Sequence, residues 1–600
     1  FYFNELSVDI KDLSFEKKNL DISKITLHDG YFNLIHSKGE LHDNLFFLTD
    51  YFSSKDTTVK DTSKWNLKLR NIELKNFRFH YDDWNDPEEK GLVDFSHLDV
   101  SHVSGFFHDL RFVNDSIFAK IDKLSFKEKS GFIVNEFTAD AKVSDHEITT
   151  KGLLIKSPTT DLDGDLNLNY AAWDDFSDFI HKVKWTGDFN RSVVDFRDIA
   201  YFTDELKGLN KTLSIQGKVK GTVDRFKGKD MVLQWGNKSV FKGNVFMEGL
   251  PNIDETYMDI LANDLQINTT DIEWIPLPPF VSGDHIILPA NIDYLGDVGF
   301  KGKFTGFISD FVAYGNIKTA IGYVSSDINL KYDQHKKAYS YKGNLSTSDF
   351  DIGKITLTPG LSLMTMNADV SGSGFQLNNI NASLRGVISK MVYNGYAYRN
   401  IAVKGNIAKK LFNGTVAVHE EDVALTFNGE IDMSGKIPVF DFSADIDRMQ
   451  LNHLKIISSE TPYTLKTNIK SHLTGNQIDN MEGTVDITNS FLQAGARMYR
   501  LNSLSLLANK INETARSIEL KSDLLDARVS GQFMLASLPA AFRDIIPRYL
   551  PNVLLPVKGQ SVKQDFNFDI DFKNMSAFTE NFLPDLYLDP SSRLKGQINS

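Results

Sequence analysis

The sequence contains no cysteine. That excludes disulfide staples, thiolate zinc and iron–sulfur sites, and cysteine nucleophiles. Proline, at 16 of 600 residues, is about half its usual share. So few prolines suit a backbone whose N–H groups are committed to strand ladders. No apolar run reaches about 18 residues, so no segment of this chain reads as a bilayer-spanning helix. Positive charge is also short. Lys and Arg total 66 against 79 Asp and Glu, a net charge of -13, and the basic footprint of a nucleic-acid binder is missing. There is no initiator Met and no signal-peptide pattern. Phe1 and Ser600 both fall in strand-like text, so the chain reads as a piece of a longer protein, and any membrane anchor then lies outside it.

What is present is a folded composition, with 41% hydrophobic and 24% charged residues, neither disordered nor collagen-like. A length of 600 residues predicts about four domains unless a repeat architecture applies. Period-two alternation dominates. In 212–223 one face carries Leu213, Ile215, Gly217, Val219, Gly221 and Val223, and the other Thr212, Ser214, Gln216, Lys218, Lys220 and Thr222. In 423–431 the faces are Val423, Leu425, Phe427 and Ile431 against Ala424, Thr426, Asn428 and Glu430. In 440–447 Phe440, Phe442, Ala444 and Ile446 oppose Asp441, Ser443, Asp445 and Asp447. In 565–572 Phe566, Phe568, Ile570 and Phe572 oppose Asp565, Asn567, Asp569 and Asp571. Successive side chains of a strand point to opposite faces, so these are strands with one apolar and one solvated face.

Turn cues predict short connections at His28-Asp29-Gly30, Arg70-Asn71, Lys75-Asn76, Asp163-Gly164, Asn413-Gly414, Asn428-Gly429 and Ser434-Gly435. Gly217 and Gly429 fall on the apolar face and mark bulges or bends. Helical text is confined to 172–182, 198–209 and a proline-broken stretch at 538–550. The proline-rich 274–289 and the polar 50–64 interrupt the pattern. The fold class is therefore all-β: an elongated, curled antiparallel meander of about 40 strands forming a taco-shaped hydrophobic groove, with a few short helices. The expected divisions are a β-groove segment over 1–170, a helical interruption over 171–212, a continuous groove over 213–537, a broken helix over 538–556, and further groove over 557–600.

Catalytic and metal signatures fail on inspection. The Gly-Lys pairs are followed by Val219, Asp230, Phe304, Ile355 and Ile437, never by Ser or Thr as a P-loop needs. His419-Glu420 and His146-Glu147 lack the second zincin histidine, with Val423 and Thr150 in its place. Asp161, Asp163 and Asp165 resemble the start of a calcium loop, but Leu166 and Ala172 stand where Gly and the bidentate Glu belong. An Asp-Gly turn is the simpler reading. His97, His102 and His108 do not share one strand face. Asp174, Asp175 and Asp178 read as a solvated helix face. No cofactor and no chemical step are called for, and the chain reads as non-enzymatic.

The stretch 401–454, IAVKGNIAKKLFNGTVAVHEEDVALTFNGEIDMSGKIPVFDFSADIDRMQLNHL, resembles the TamB-type translocation and assembly module proteins of Bacteroidetes-type bacteria. These belong to the AsmA-like superfamily of bridge-like lipid-transfer proteins. The stretch 221–260, GTVDRFKGKDMVLQWGNKSVFKGNVFMEGLPNIDETYMDI, is similar to the same family. Before residue 150 only the cadence of 24–34 carries the likeness. The resemblance implies a periplasmic groove conducting phospholipid between inner and outer membrane, supporting outer-membrane biogenesis; the alternative is an assembly factor for outer-membrane β-barrel or secreted proteins, which an exposed sheet edge would serve by strand augmentation. Its implied partners are phospholipid acyl chains, the inner membrane through an N-terminal anchor, and an outer-membrane Omp85-type β-barrel through a C-terminal domain. Neither the anchor nor that domain lies within these residues. The expected groove-lining residues are Leu213, Ile215, Val219, Val423, Leu425, Phe427, Phe440, Phe442, Phe566 and Phe568.

Overall fold

The structure, a computed structural model, describes residues 2–40, 42–46, 66–113, 115–273, 276, 280–282, 290–333, 338–374, 379–538, 564–576, 579, 589 and 591–599. The 50–64 stretch, nearly all of 274–289, and the expected broken helix beyond residue 538 lie outside them. The chain is nearly all β and divides into two compact units, Phe1–Ala320 and Ile321–Ser600.

The first unit carries β1 Glu5–Ser14, β2 Asn19–His28, β3 Tyr31–His36, β4 Asn66–Asp83, β5 His97–Val113, β6 Ser116–Glu128, β7 Ile133–Val143 and β8 Glu147–Lys156. It continues with β9 Asp161–Asn169, β10 Lys184–Asp195, β11 Thr212–Gly221, β12 Arg225–Trp235, β13 Ser239–Glu248, β14 Tyr257–Ile267, β15 Val298–Phe307 and β16 Asp310–Thr319. The second unit carries β17 Gly322–Asp333, β18 Ala338–Asp351, β19 Leu361–Ser373, β20 Asn381–Tyr393, β21 Tyr396–Ala408, β22 Leu411–His419, β23 Val423–Asp432 and β24 Val439–Gln450. Then follow β25 Tyr463–Thr474, β26 Glu482–Ala494, β27 Arg497–Lys510, β28 Arg516–Ser522, β29 Leu525–Gln532, β30 Asp565–Phe572 and β31 Arg593–Asn599.

Within each unit the strands form an open, curled antiparallel meander. The exception is at the start, where β4 runs parallel to β2 over its first half and to β3 over its second. Described strands number 31, fewer than expected, because five of the seven turn cues lie inside strands. Arg70-Asn71 and Lys75-Asn76 sit within β4, Asp163-Gly164 within β9, Asn413-Gly414 within β22 and Asn428-Gly429 within β23. The helical interruption is likewise divided. Short helices at Trp173–Asp178 and Phe179–Lys182 precede β10, and others at Phe196–Ile199 and Asp204–Leu206 follow it. Strand β10 itself pairs with both β9 and β11.

Two local devices bend the sheet. The first is a β-bulge whose extra residue takes positive φ: Asn76 (50°), Gly152 (58°), Asp230 (53°) and Asp349 (43°). Each coincides with a register shift against the next strand. The amide freed from the ladder donates to a side-chain oxygen of that strand: Asn76 N to Ser104 Oγ (3.1 Å), Gly152 N to Asp165 Oδ1 (2.8 Å), Asp230 N to Asn244 Oδ1 (2.9 Å) and Asp349 N to Thr365 Oγ1 (2.9 Å). A bulge bends its strand and raises the local twist. Gly217 sits at such a shift. Gly429 does not, and pairs in register with Phe442 and Gly414.

The second device is a connection that reaches back across several strands. In the first unit Tyr201 O accepts from Val93 N (2.7 Å), and Phe202 stacks edge-on against Phe132 with ring centroids 5.1 Å apart. Tyr201 lies six residues past the end of β10 and Val93 four residues before the start of β5, so this contact joins connections of strands five places apart in the sheet. In the second unit Lys455 Nζ donates to Gly395 O (3.1 Å) and His453 Nδ1 meets Asp422 Oδ1 (2.8 Å). Leu454 between them is buried on the apolar face against Ile401, Val418 and Val423, so the curl there is toward that face.

Candidate functional site

Antiparallel register turns the alternation of single strands into rows that run across strands. In the first unit one row passes Ile215, Leu233, Phe241, Leu265, Phe300 and Ile317 on β11 to β16. In the second unit a row passes Ile407, Phe412, Ile431, Phe440, Leu473, Gly483, Ala508, Ile518, Val529 and Phe568 on β21 to β30. Beyond an intervening row of Gly405, Gly414, Gly429, Phe442, Ser471 and Val485 run Val403, Val416, Phe427, Ala444, Ile469, Ile487 and Leu504. The first of these second-unit rows spans about 43 Å at the usual strand spacing.

Most of these side chains are half-buried rather than buried.

Glycines keep the face low. At Gly187 an added Cβ would lie 2.5 Å from Phe189 Cε2, at Gly302 2.8 Å from Phe300 Cζ, at Gly405 2.8 Å from Phe412 Cε2 and at Gly596 2.8 Å from Phe568 Cζ. The aromatic rings therefore lie over glycine backbone, flat along the sheet, instead of standing off it. A lying ring paves the face; a standing ring would fill the space above it.

The ten expected lining residues fall into two groups. Leu213, Ile215, Leu425, Phe427, Phe440, Phe442 and Phe568 are half-buried on the apolar face. The Phe427 and Phe442 rings are 5.2 Å apart. Val219, Val423 and Phe566 are buried, at 3%, 2% and 3% exposure. Val219 packs among Phe189, Met231, Phe241 and Ala262. Val423 lies beneath Leu454, and Phe566 lies against Phe533, with centroids 5.6 Å apart. These three are packed by the protein's own side chains. Sequence reasoning missed Leu454, which sits in a turn with no periodicity, and the ring-over-glycine pairs. The spacing Gly-x-Phe at 187–189 and Phe-x-Gly at 300–302 was the available signal.

The opposite face is polar and ion-paired. Arg593 forks onto Asp569 (2.8 and 2.6 Å), and Lys595 lies 3.4 Å away. Hydrogen bonding to Arg593 is the main cause that pulls the Asp569 carboxyl down to about 2. Lys24 and Lys75 pull Glu73 down to about 2 as well. A carboxyl lowered in the folded state contributes stability that is present above its unfolded pKa. That contribution is lost as pH falls through the folded one. Melting temperature is therefore expected to fall between about pH 4 and pH 2, and Arg593→Gln is expected to flatten part of that slope, as read by thermal melts across the interval.

The histidines do not converge. His97 Nδ1 meets Asp94 Oδ2 (3.0 Å), His108 meets Asp122 (2.9 Å) and His102 meets Ser101 (3.2 Å). Asp163 lies within β9, where its amide donates to Ser192 Oγ (2.9 Å), so the expected Asp-Gly turn is not formed. Asp175 accepts from Ala171 N (2.7 Å) and Asp178 pairs with His181 (2.6 Å). The apolar rows are what this chain offers a guest: burial without directional bonds, repeated at each strand. No protein-family model, curated protein or solved structure matches the chain.

Proposed function

We propose that this chain is a passive lipid conduit, a periplasmic groove along which phospholipid moves between inner and outer membrane in support of outer-membrane biogenesis. The observation that carries the reading is the continuity of half-buried apolar rows over successive strands, with rings laid flat on glycine. The resemblance of 221–260 and 401–454 to TamB-type proteins supports the envelope setting. A methylene moved from water onto such a face gains about 0.8 kcal/mol, so a 16-carbon chain gains on the order of 10 kcal/mol. Along a row successive strands mostly present apolar side chains, so sliding from one strand to the next costs little. No cofactor and no reaction are required. The test is mass spectrometry of lipid co-purified in mild detergent. Phospholipid in at least stoichiometric yield is expected; a yield near zero overturns the reading.

A second reading, assembly of outer-membrane β-proteins by strand augmentation, is favoured by one observation. Among the described strands β1 has β2 as its only ladder partner. Along it Leu6, Val8 and Ile10 are 46%, 41% and 54% exposed. An open edge of this kind templates a further strand. Photoreactive groups separate the two: those at Phe427 capture acyl chains under the first reading, and those on β1 capture polypeptide under the second.

A further inference from the structure

On the solvated side of β11 and β12, Lys218 stands directly opposite Lys229, and Lys220 directly opposite Lys227. Facing cross-strand positions hold Cβ atoms about 5 Å apart, and next-but-one positions on a strand about 7 Å. Four lysine side chains thus leave the sheet from a patch of that size in a chain of net charge -13, with the Lys218 end turned toward β10 and the Lys227 end toward β13. Like charges placed opposite one another destabilise a sheet. Elsewhere such pairs are relieved by neighbours: Asp441 by His472 (2.6 Å) and Lys390 by Asp349 (2.9 Å). In this quartet only Lys218 has a carboxylate, Asp188 at 2.9 Å. Lys227 lies over the Phe246 ring (5.6 Å). Lys220 and Lys229 are exposed and have no partner among the described residues.

We propose that the outer face of the β11–β12 hairpin is a binding site for a compact ligand carrying several phosphate charges. Compactness follows from the surroundings. Asp188 and Asp165 on one side, Asp230 at the bulge, and Glu248 and Asp259 on the other side frame the patch. A broad anionic surface laid here meets carboxylates as well as lysines. A diphosphate-sized anion meets the ammonium groups alone, and each charge-assisted contact is strong. The ligand is either a free polyphosphate or a phosphomonoester headgroup presented by a lipid.

The experiment is calorimetric titration of the intact chain with pyrophosphate at low ionic strength. Arms with inorganic phosphate, with phosphatidylcholine vesicles containing phosphatidic acid, and with vesicles containing phosphatidylglycerol run alongside. Pyrophosphate is expected to bind more tightly than phosphate, and Lys220→Gln/Lys229→Gln to weaken it at least about tenfold. Lys220→Arg/Lys229→Arg retains binding, and the Gln pair melts no lower than the parent because a repulsion has been removed. Phosphatidic-acid vesicles bound in competition with pyrophosphate assign the site to a lipid headgroup; pyrophosphate alone assigns it to a free ligand. Absence of pyrophosphate binding, equal affinity in the Gln pair, or indifferent binding to both vesicle types overturns the proposal.

Discussion

Phe427→Asp/Phe442→Asp is expected to leave the protein folded and to strip most of its bound lipid. Both rings are half-buried, with one side against the sheet and the other on the apolar face. A carboxylate placed there can hydrate from the open side. The cost to folding is then the apolar burial lost, about 1–2 kcal/mol for each ring. The cost to a guest is larger, because an acyl chain must now lie against two charges it cannot solvate. Val423→Asp is the contrasting variant. Val423 is 2% exposed and packed beneath Leu454 with Ile401 and Val418. An unpaired charge there has neither water nor partner, and a loss above about 4 kcal/mol is expected. The measurements are the far-ultraviolet spectrum, the melting temperature and co-purified phospholipid by mass spectrometry. If the two Phe variants collapse the fold as Val423→Asp does, the face is a closed core and the conduit reading fails.

The difference between Phe427 and Val423 could not be read from the sequence. Both lie on the same face of 423–431 by alternation, and what separates them is Leu454, delivered by a turn about thirty residues later. The strands themselves were legible where charge and apolar residue alternate strictly, as at 440–447 and 565–572, because that pattern has one explanation on a half-solvated sheet. Their ends were less legible. Asn428-Gly429 and Asn413-Gly414 carry the chemistry of a hairpin turn yet lie mid-strand. The property that suits Gly to a turn, a missing Cβ, suits it equally to a close approach of two strands. Lys75-Asn76 is a bulge for the same reason, since Asn tolerates positive φ in either setting. Strand β10 escaped notice because a register shift between Phe189 and Ser192 breaks its alternation. The parallel pairing of β4 with β2 and β3 has no local signature at all.

Glycine also supplies the second large effect, through a pair of alanine variants that differ in what the new methyl meets. At Gly429, φ is 142° and the methyl would lie 2.4 Å from Asp441 O and 2.5 Å from Phe442 Cα. Both obstacles are backbone, so β23 and β24 must part, and a loss above about 3 kcal/mol is expected. At Gly596 the backbone is ordinary and the obstacle is the half-buried Phe568 ring, 2.8 and 3.1 Å away at Cζ and Cε1. A ring can move. Gly596→Ala is therefore expected to cost only about 1–3 kcal/mol of repacking, while lifting Phe568 off the sheet into the space a guest would occupy. Gly429→Ala should lower the melting temperature steeply, and Gly596→Ala should instead lower acyl-chain photocapture in the second unit with the melt little changed. The double variant Gly596→Ala/Phe568→Leu has no ring to lift and should recover capture, a coupling that independent effects would not produce. Should Gly596→Ala load lipid as the parent does, the ring over glycine is packing alone and the space above it is not where lipid travels.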